Sequence, residues 1–347
     1  MSEALRFGLI GCGGQGGYLS EAAAVTGRAE LVACADLDPD RAEQFAAQFG
    51  YAQWYGNAAE MLDEAGVDAV IVATSHDQLQ PAAMDAVRAG KHVLVEKPMA
   101  LNAADGQALV DAAHKADVRL MVGYTLRFLP ERREMRRLLE GGAVGEIAHI
   151  TGGQLIGRMG GWLGDRARGG GPLFYVGSHA LDFILWMAGR PVERVRAEVT
   201  WDEDSSVELD VTATLRFAGN VTAQLLTSQR MGGRYGWCDV IGSAGRLRAV
   251  WESPEVYVES RTLPEYSLGV RIEVPATAHH PEFPPDAGAR LSGFKYVRSW
   301  GAEIGEFIDA IEEGRDPSPS GEDGVRVLQV TDAIFASAES GRAVEVG

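Results

Sequence analysis

Up to residue 123 the chain alternates short apolar runs with longer stretches of helical periodicity. The runs at 5–10, 31–35, 69–73, 92–95 and 118–122 are rich in Val, Ile and Leu and too short for globular helices, so they predict buried parallel strands. Helix punctuation falls between them: Asp38 is an N-cap before Pro39, and Gly90 closes a segment read as 81–89. A strand-helix-strand series of this kind winds through right-handed crossovers and presents ligand sites at the carboxyl ends of its strands. Beyond 123 the period changes. Val207, Leu209, Val211, Ala213, Leu215 and Phe217 alternate with Glu208, Asp210, Thr212, Thr214 and Arg216, the pattern of a half-buried strand. Gly219-Asn220 suits a hairpin turn, after which Val221, Ala223 and Leu225 resume the alternation. Helical patterns at 172–188, 302–313 and 325–340 make this second region mixed, with an antiparallel sheet.

A chain of 347 residues is long enough for two domains, and the change of period places them at 1–123 and 124–347. The net charge of −17 opposes partners with phosphate backbones or anionic membrane surfaces and favours small molecules. No apolar run approaches the ~20 residues of a membrane span, and Met1–Arg6 lead into a strand without a secretory pattern, so a cytoplasmic protein is expected. Cys12, Cys34 and Cys238 have no metal-type spacing and read as structural thiols of a reducing compartment. His279 and His280 are adjacent in the proline-rich stretch 275–290, without partners at a ligand-like interval. They read as a solvated loop, and no metal site is expected.

The first strand runs into Gly11-Cys12-Gly13-Gly14-Gln15-Gly16, a G-x-G-x-x-G between strand and helix. Gly11 permits the tight turn, Gly13 lets backbone approach a pyrophosphate, Gly16 lets the helix pack on the strand, and the helix N-terminus faces the anion. The next strand ends at Asp36, where a carboxylate accepts hydrogen bonds from the adenosine ribose and repels a 2′-phosphate. NAD is therefore the expected cofactor. Arg41 is compatible with a phosphate, which keeps NADP in view, and Asp36 also suits a turn acid before Asp38 and Pro39. Leu37, Thr74, Ser75, His76, Glu96 and Lys97 follow strand ends and complete the candidate cofactor residues.

Lys97 lies in Glu96-Lys97-Pro98 at the end of the 92–95 strand, where an ammonium would stabilise charge developing on a carbinol oxygen. At this point the chain resembles the glucose-fructose oxidoreductase/inositol dehydrogenase (Gfo/Idh/MocA) family. The resemblance rests on 11–16, Ala73-Thr74, 89–93 into Glu96-Lys97-Pro98, 169–179 with Leu181-Asp182, and 307–311 before Gly314-Arg315. It implies a Rossmann domain followed by an α/β domain with a large, mainly antiparallel sheet, NAD(P)-dependent redox chemistry on sugars or cyclitols, and dimers or tetramers. In the family's pattern the lysine joins an aspartate and a histidine four residues apart on a helix. Lys97 and His179 match, but Tyr175 stands where the aspartate belongs.

Spacing of four puts Tyr175 and His179 on one face if Pro172 begins the helix and Gly189 ends it. Two proton carriers remain: His179, with Lys97 stabilising the oxygen, or Tyr175 activated by a nearby ammonium. The first is preferred. Asp182, one turn on, reads as structural. Tyr124, Arg127, Arg158 and Trp162, with Arg166 and Arg168 nearby, are candidate substrate contacts, since rings stack on sugar faces and guanidiniums pair with carboxylates. The expected reaction is hydride transfer between a nicotinamide and a secondary alcohol of a sugar, cyclitol or derivative. A lyase, epimerase or glycoside-cleaving enzyme that recycles a retained NAD is the alternative, and a non-catalytic nucleotide sensor a third reading.

Overall fold

The first six strands form one parallel sheet, and the rest of the fold is arranged around how that sheet and a second, larger one are covered. The computed structural model describes residues 4–251, 253–279 and 297–347. They fall into two units, one from within Met1–Phe128 and His280–Val325, the other from within Leu129–His279 and Arg326–Gly347. The first unit is therefore discontinuous in sequence, and a linear cut at 123 misses the chain's return to it.

In the first unit β1 (Leu5–Ile10), β2 (Ala29–Ala35), β3 (Gln53–Tyr55), β4 (Ala69–Val72), β5 (His92–Val95) and β6 (Leu120–Val122) are ordered β3-β2-β1-β4-β5-β6. Strand order reverses between β1 and β4, which makes their carboxyl ends the crevice where such sheets take a ligand. Five of these strands were legible as apolar runs. β3 was not, because its three residues are polar or aromatic and largely exposed at the sheet edge.

The crossover helices are α1 (Gly14–Val25), α2 (Pro39–Phe49), α3 (Ala58–Glu64), α4 (His76–Arg88) and α5 (Ala103–Ala116). Asp38 caps α2 by accepting from the Arg41 amide, and Gly50 ends it in the left-handed region, as the punctuation indicated. The helix read as 81–89 begins at His76 instead, with Pro81 inside it. Proline normally marks a first turn, and here that habit misplaced the start. The returning α8 (Val297–Glu313), read as 302–313, packs on α1. Its Phe307 is fully buried against Phe7, and Trp300 stacks on Tyr18 at 5.1 Å.

The second unit is built on a nine-stranded sheet. Its strands are β7 (Ile147–Leu155), β8 (Val192–Trp201), β9 (Glu208–Phe217), β10 (Thr222–Ser228), β11 (Tyr235–Gly242), β12 (Gly245–Val250), β13 (Glu255–Ser260), β14 (Val270–Glu273) and β15 (Val344–Glu345). The order is β14-β13-β12-β11-β7-β10-β9-β8-β15, antiparallel except where β10 meets β7. The β9-β10 hairpin turns at Gly219-Asn220 as expected, with both residues at positive φ. Along β9 the buried positions are Val211, Ala213, Leu215 and Phe217, but Glu208, expected to face solvent, is fully buried. The β8-β9 register shifts between Thr200 and Trp201 at this end, so the simple alternation breaks there.

On this sheet lie α6 (Pro130–Glu140) and α7 (Ser178–Ala188). Glycine lets α7 sit close: a Cβ on Gly152 of β7 would stand 3.2 Å from Ile184. The helix expected from Pro172 is divided, with a π-helical turn over Leu173–Gly177 before α7 begins. The last helix, α9 (Gly321–Ser340), read as 325–340, begins earlier than its apolar pattern suggests because its first turn is Gly, Glu and Asp.

Candidate active site

In the first unit the glycine turn forms where β1 ends and is tied to both neighbouring strands. The Gly11 amide donates to Ala35 at 2.9 Å and the Ala73 amide to Ile10 at 2.8 Å. Gly11 has φ of 103°, and a Cβ there would meet the Ala73 carbonyl at 2.6 Å. A Cβ on Gly16 would collide with the Gly11 carbonyl, whereas Gly13 and Gly14 have nothing within 4 Å of that position among the described residues. The turn is thus crowded toward the protein and open at the start of α1, where backbone amides and the helix dipole suit an anion. That arrangement fits a dinucleotide pyrophosphate.

Asp36 is held tightly. Its carboxylate accepts from the Cys12 amide at 2.9 Å, the Asp38 amide at 3.0 Å and Arg41 at 3.2 Å, so it organises the turn itself. Arg41 also pairs with Asp38. Leu37 beside it is almost fully exposed. Thr74 donates to the Ser75 carbonyl and Ser75 to Asp77, while His76 is buried in the first turn of α4.

At the end of β5, Lys97 is the one half-exposed residue in the buried run 93–100. Glu96 before it is buried, accepting from Gln15 at 2.7 Å and from the Lys97 amide at 3.1 Å. Burial pushes the Glu96 carboxyl up, opposed by the Lys97 charge and these hydrogen bonds. A second buried carboxyl, Glu303 on α8, accepts from the Thr125 hydroxyl at 2.8 Å, and its other oxygen has no hydrogen-bond partner among the described residues. Burial, and then the Glu96 charge, hold Glu303 well above the usual carboxylate range. Sequence reading missed Glu303, although it stands one helical turn before Phe307 on the buried face of α8. Tyr124 is fully buried, and Arg127, expected as a substrate contact, is buried and paired with Asp323 at 3.0 Å. A guanidinium taken out of water needs such a partner.

In the second unit Tyr175 and His179 are the only half-exposed residues between Gly171 and Ala180. Tyr175 lies in the π-helical turn and His179 in the first turn of α7, so the four-residue spacing spans a change of helix type. Such turns recur at functional sites. The turn's start is anchored by Glu208, which accepts from the Leu173 amide at 2.7 Å. A Cβ on Gly171, at φ 91°, would collide with that carboxyl. Burial pushes Glu208 up, opposed by the Leu173 amide and the Arg166 charge.

The Tyr175 hydroxyl has a neighbour that the sequence did not reveal: Arg234 donates to it at 3.4 Å from the loop between β10 and β11. A lone arginine after two glycines carries no periodicity that would point to Tyr175. Asp182 is buried on α7. Of the expected substrate contacts, Arg158 is committed to Asp202 at 2.6 Å and reaches Asp204 at 3.4 Å. Arg166 lies over the rings of Trp201 and Phe335, at 4.7 and 4.2 Å from their centroids. Trp162 is half-buried and Arg168 exposed. His279 is not a solvated loop residue: it sits 2.9 Å from Glu134, while His280 lies outside the described residues. The cysteines are free and buried. Among the described residues no group of His, Cys, Asp or Glu could hold a metal ion, and no helix is long and apolar enough to cross a membrane.

Glu303→Gln keeps the acceptor for Thr125 and removes the ionisation. With the folded-state carboxyl raised, the unfolded chain ionises first, above about pH 4.3, and stability falls as pH rises toward the folded-state value. The variant should therefore gain Tm relative to the parent as pH rises from about 5 to about 8. A Tm difference independent of pH would show that Glu303 is not held neutral.

Two family patterns match the chain: "Oxidoreductase family, NAD-binding Rossmann fold" over residues 5–124, and "GFO/IDH/MocA C-terminal domain" over 132–248. Among similar proteins, myo-inositol 2-dehydrogenase of Thermotoga maritima is 28% identical across 99% of this chain and 98% of its own. D-xylose 1-dehydrogenase (NADP(+)) 2 of Haloferax volcanii is 27% identical across 99% of this chain and 100% of its own. A solved levoglucosan dehydrogenase in complex with NADH and levoglucosan shares the fold, with a TM-score of 0.90 at 24% identity, covering 99% of this chain and 100% of that one. Parallel sheet, glycine turn and family patterns agree: the chain belongs to the Gfo/Idh/MocA family of NAD-dependent oxidoreductases.

Proposed function

We propose that this enzyme oxidises a secondary alcohol of a sugar, cyclitol or sugar derivative with exchangeable NAD, using Lys97 to stabilise the reacting oxygen and His179 to accept its proton. The bound nicotinamide supplies the hydride acceptor. The observation that carries the reading is the setting of Lys97: a half-exposed ammonium at the carboxyl edge of the NAD-binding sheet, in a run otherwise buried and backed by Glu96. Such a charge, fixed at a strand end, favours developing negative charge on oxygen. His179, half-exposed on α7, has a side chain suited to proton transfer near neutrality. Lysine and imidazole belong to different units. The curated dehydrogenases that the chain resembles, acting by name on inositol and xylose, support the substrate class.

Tyr175 in place of the family's aspartate, with Arg234 on its hydroxyl, favours a second reading in which the phenol carries the proton. It also keeps open an enzyme that oxidises and re-reduces its substrate on a retained NAD. Release of nicotinamide on denaturing the purified protein, together with failure to reduce added NAD, would mark that case.

Three outcomes test the assignments. Lys97→Ala should lower the single-turnover rate of NAD reduction by about a hundredfold or more while NAD still binds. A rate near that of the parent would displace the site from β5. His179→Ala should slow the chemical step more than Tyr175→Phe does, and the reverse order would make tyrosine the acid/base. For the cofactor, Asp36→Ala loosens the turn for either dinucleotide, but removes a ribose acceptor and a repulsive charge only in the comparison of NAD with NADP. Titration with both should show the NAD preference falling. Equal losses would remove Asp36 from ribose recognition.

A further inference from the structure

We propose that the substrate carries a carboxylate and that Arg234 recognises it beside Tyr175, an inference that rests on the sugar-type substrate proposed above. Arg234 stands in the loop from Gln229 to Arg234, whose base is pinned by the Met231 amide to Ile156 at 3.1 Å and by Gln229 to the Met159 amide at 3.0 Å. Its guanidinium reaches the Tyr175 hydroxyl at 3.4 Å and lies 5.6 Å from the Trp251 ring centroid. A guanidinium has five donors in a planar fork, and the tyrosine takes one.

Three other arginines of this unit are already committed. Arg158 pairs with Asp202, Arg230 pairs with Asp210 at 2.9 Å, and Arg166 lies on two rings. Arg234 pairs with no carboxylate among the described residues. The glycines before it, Gly232 and Gly233, have nothing within 4 Å of a Cβ position among the described residues.

Charge sharpens the argument. A chain with net charge −17 repels anions at long range. A sugar acid therefore needs a local cation at the residues that handle it, and the fork of arginine matches carboxylate geometry better than lysine's point charge does. Arg234 places that fork beside Tyr175, four residues before His179 in the 171–180 run.

The test compares parent, Arg234→Met and Arg234→Lys on matched pairs, D-glucuronate with D-glucose and D-galacturonate with D-galactose, and adds glucose 6-phosphate as a phosphate probe. Two readouts are taken: kcat/KM for NAD reduction, and calorimetric affinity of each compound for the NADH-loaded protein. The parent should favour the acid of a pair. Arg234→Met should lower the acid-to-neutral ratio about tenfold or more in both readouts, the scale of one lost charge-assisted hydrogen bond, with partial retention in Arg234→Lys.

A ratio unchanged in Arg234→Met, a parent that favours the neutral sugars, or equal Arg234-dependent affinity for the phosphate would overturn the proposal. If no compound is oxidised but acid binding still depends on Arg234, the recognition stands and the net oxidation proposed above fails. Turnover whose selectivity ignores Arg234 is the opposite result: the reaction stands and the recognition fails.

Discussion

The Asp36 carboxylate is the point on which the cofactor half of the molecule turns. By accepting the amides of Cys12 and Asp38 it joins the end of β1 to the end of β2, and so holds the glycine turn in the shape that leaves Gly13 and Gly14 open at the start of α1. The parallel sheet sets where strand ends lie, and the carboxylate sets what the loop between them does. A residue read from sequence as a ribose ligand is thus first a structural clamp. The amides of Cys12 and Asp38 take one oxygen each and Arg41 reaches both, so a ribose hydroxyl would have to take the place of Arg41, and clamp and ribose ligand cannot be separated by deleting the side chain without comparing cofactors.

Buried carboxyls recur by the Lys97 strand end and by the turn that carries Tyr175. Glu96 and Glu303 lie inside the first unit near Lys97, and Glu208 lies inside the second at the start of the turn that carries Tyr175. Each gives up hydration and recovers part of it through specific amide or hydroxyl donors. Burial of this kind costs stability and fixes geometry, a trade more often met at a functional site than in a core.

Much of the fold was legible because apolar period and glycine punctuation are local signals. The strand ends at Gly11, Asp36 and Lys97 follow directly from runs of Val, Ile and Leu. What the chain hides is nonlocal. Glu208 looks outward by alternation until a register shift against β8 turns it inward, and the π-helical turn over Leu173–Gly177 has the same composition as an ordinary helical start. Arg127 and Arg158 look available as residue types, yet each has found a carboxylate far away in sequence, Asp323 and Asp202. Arg234 meets Tyr175 from 59 residues away, with no pattern to announce it.

The proposed reaction reduces NAD at the expense of a polyol. Its most direct measurement mixes excess protein with NAD and, in turn, a panel of cyclitols, sugars and sugar acids, and follows the absorbance of reduced nicotinamide through a single turnover. A burst of reduced nicotinamide with at least one class is expected. NAD and panel compounds that bind with no reduction would contradict it.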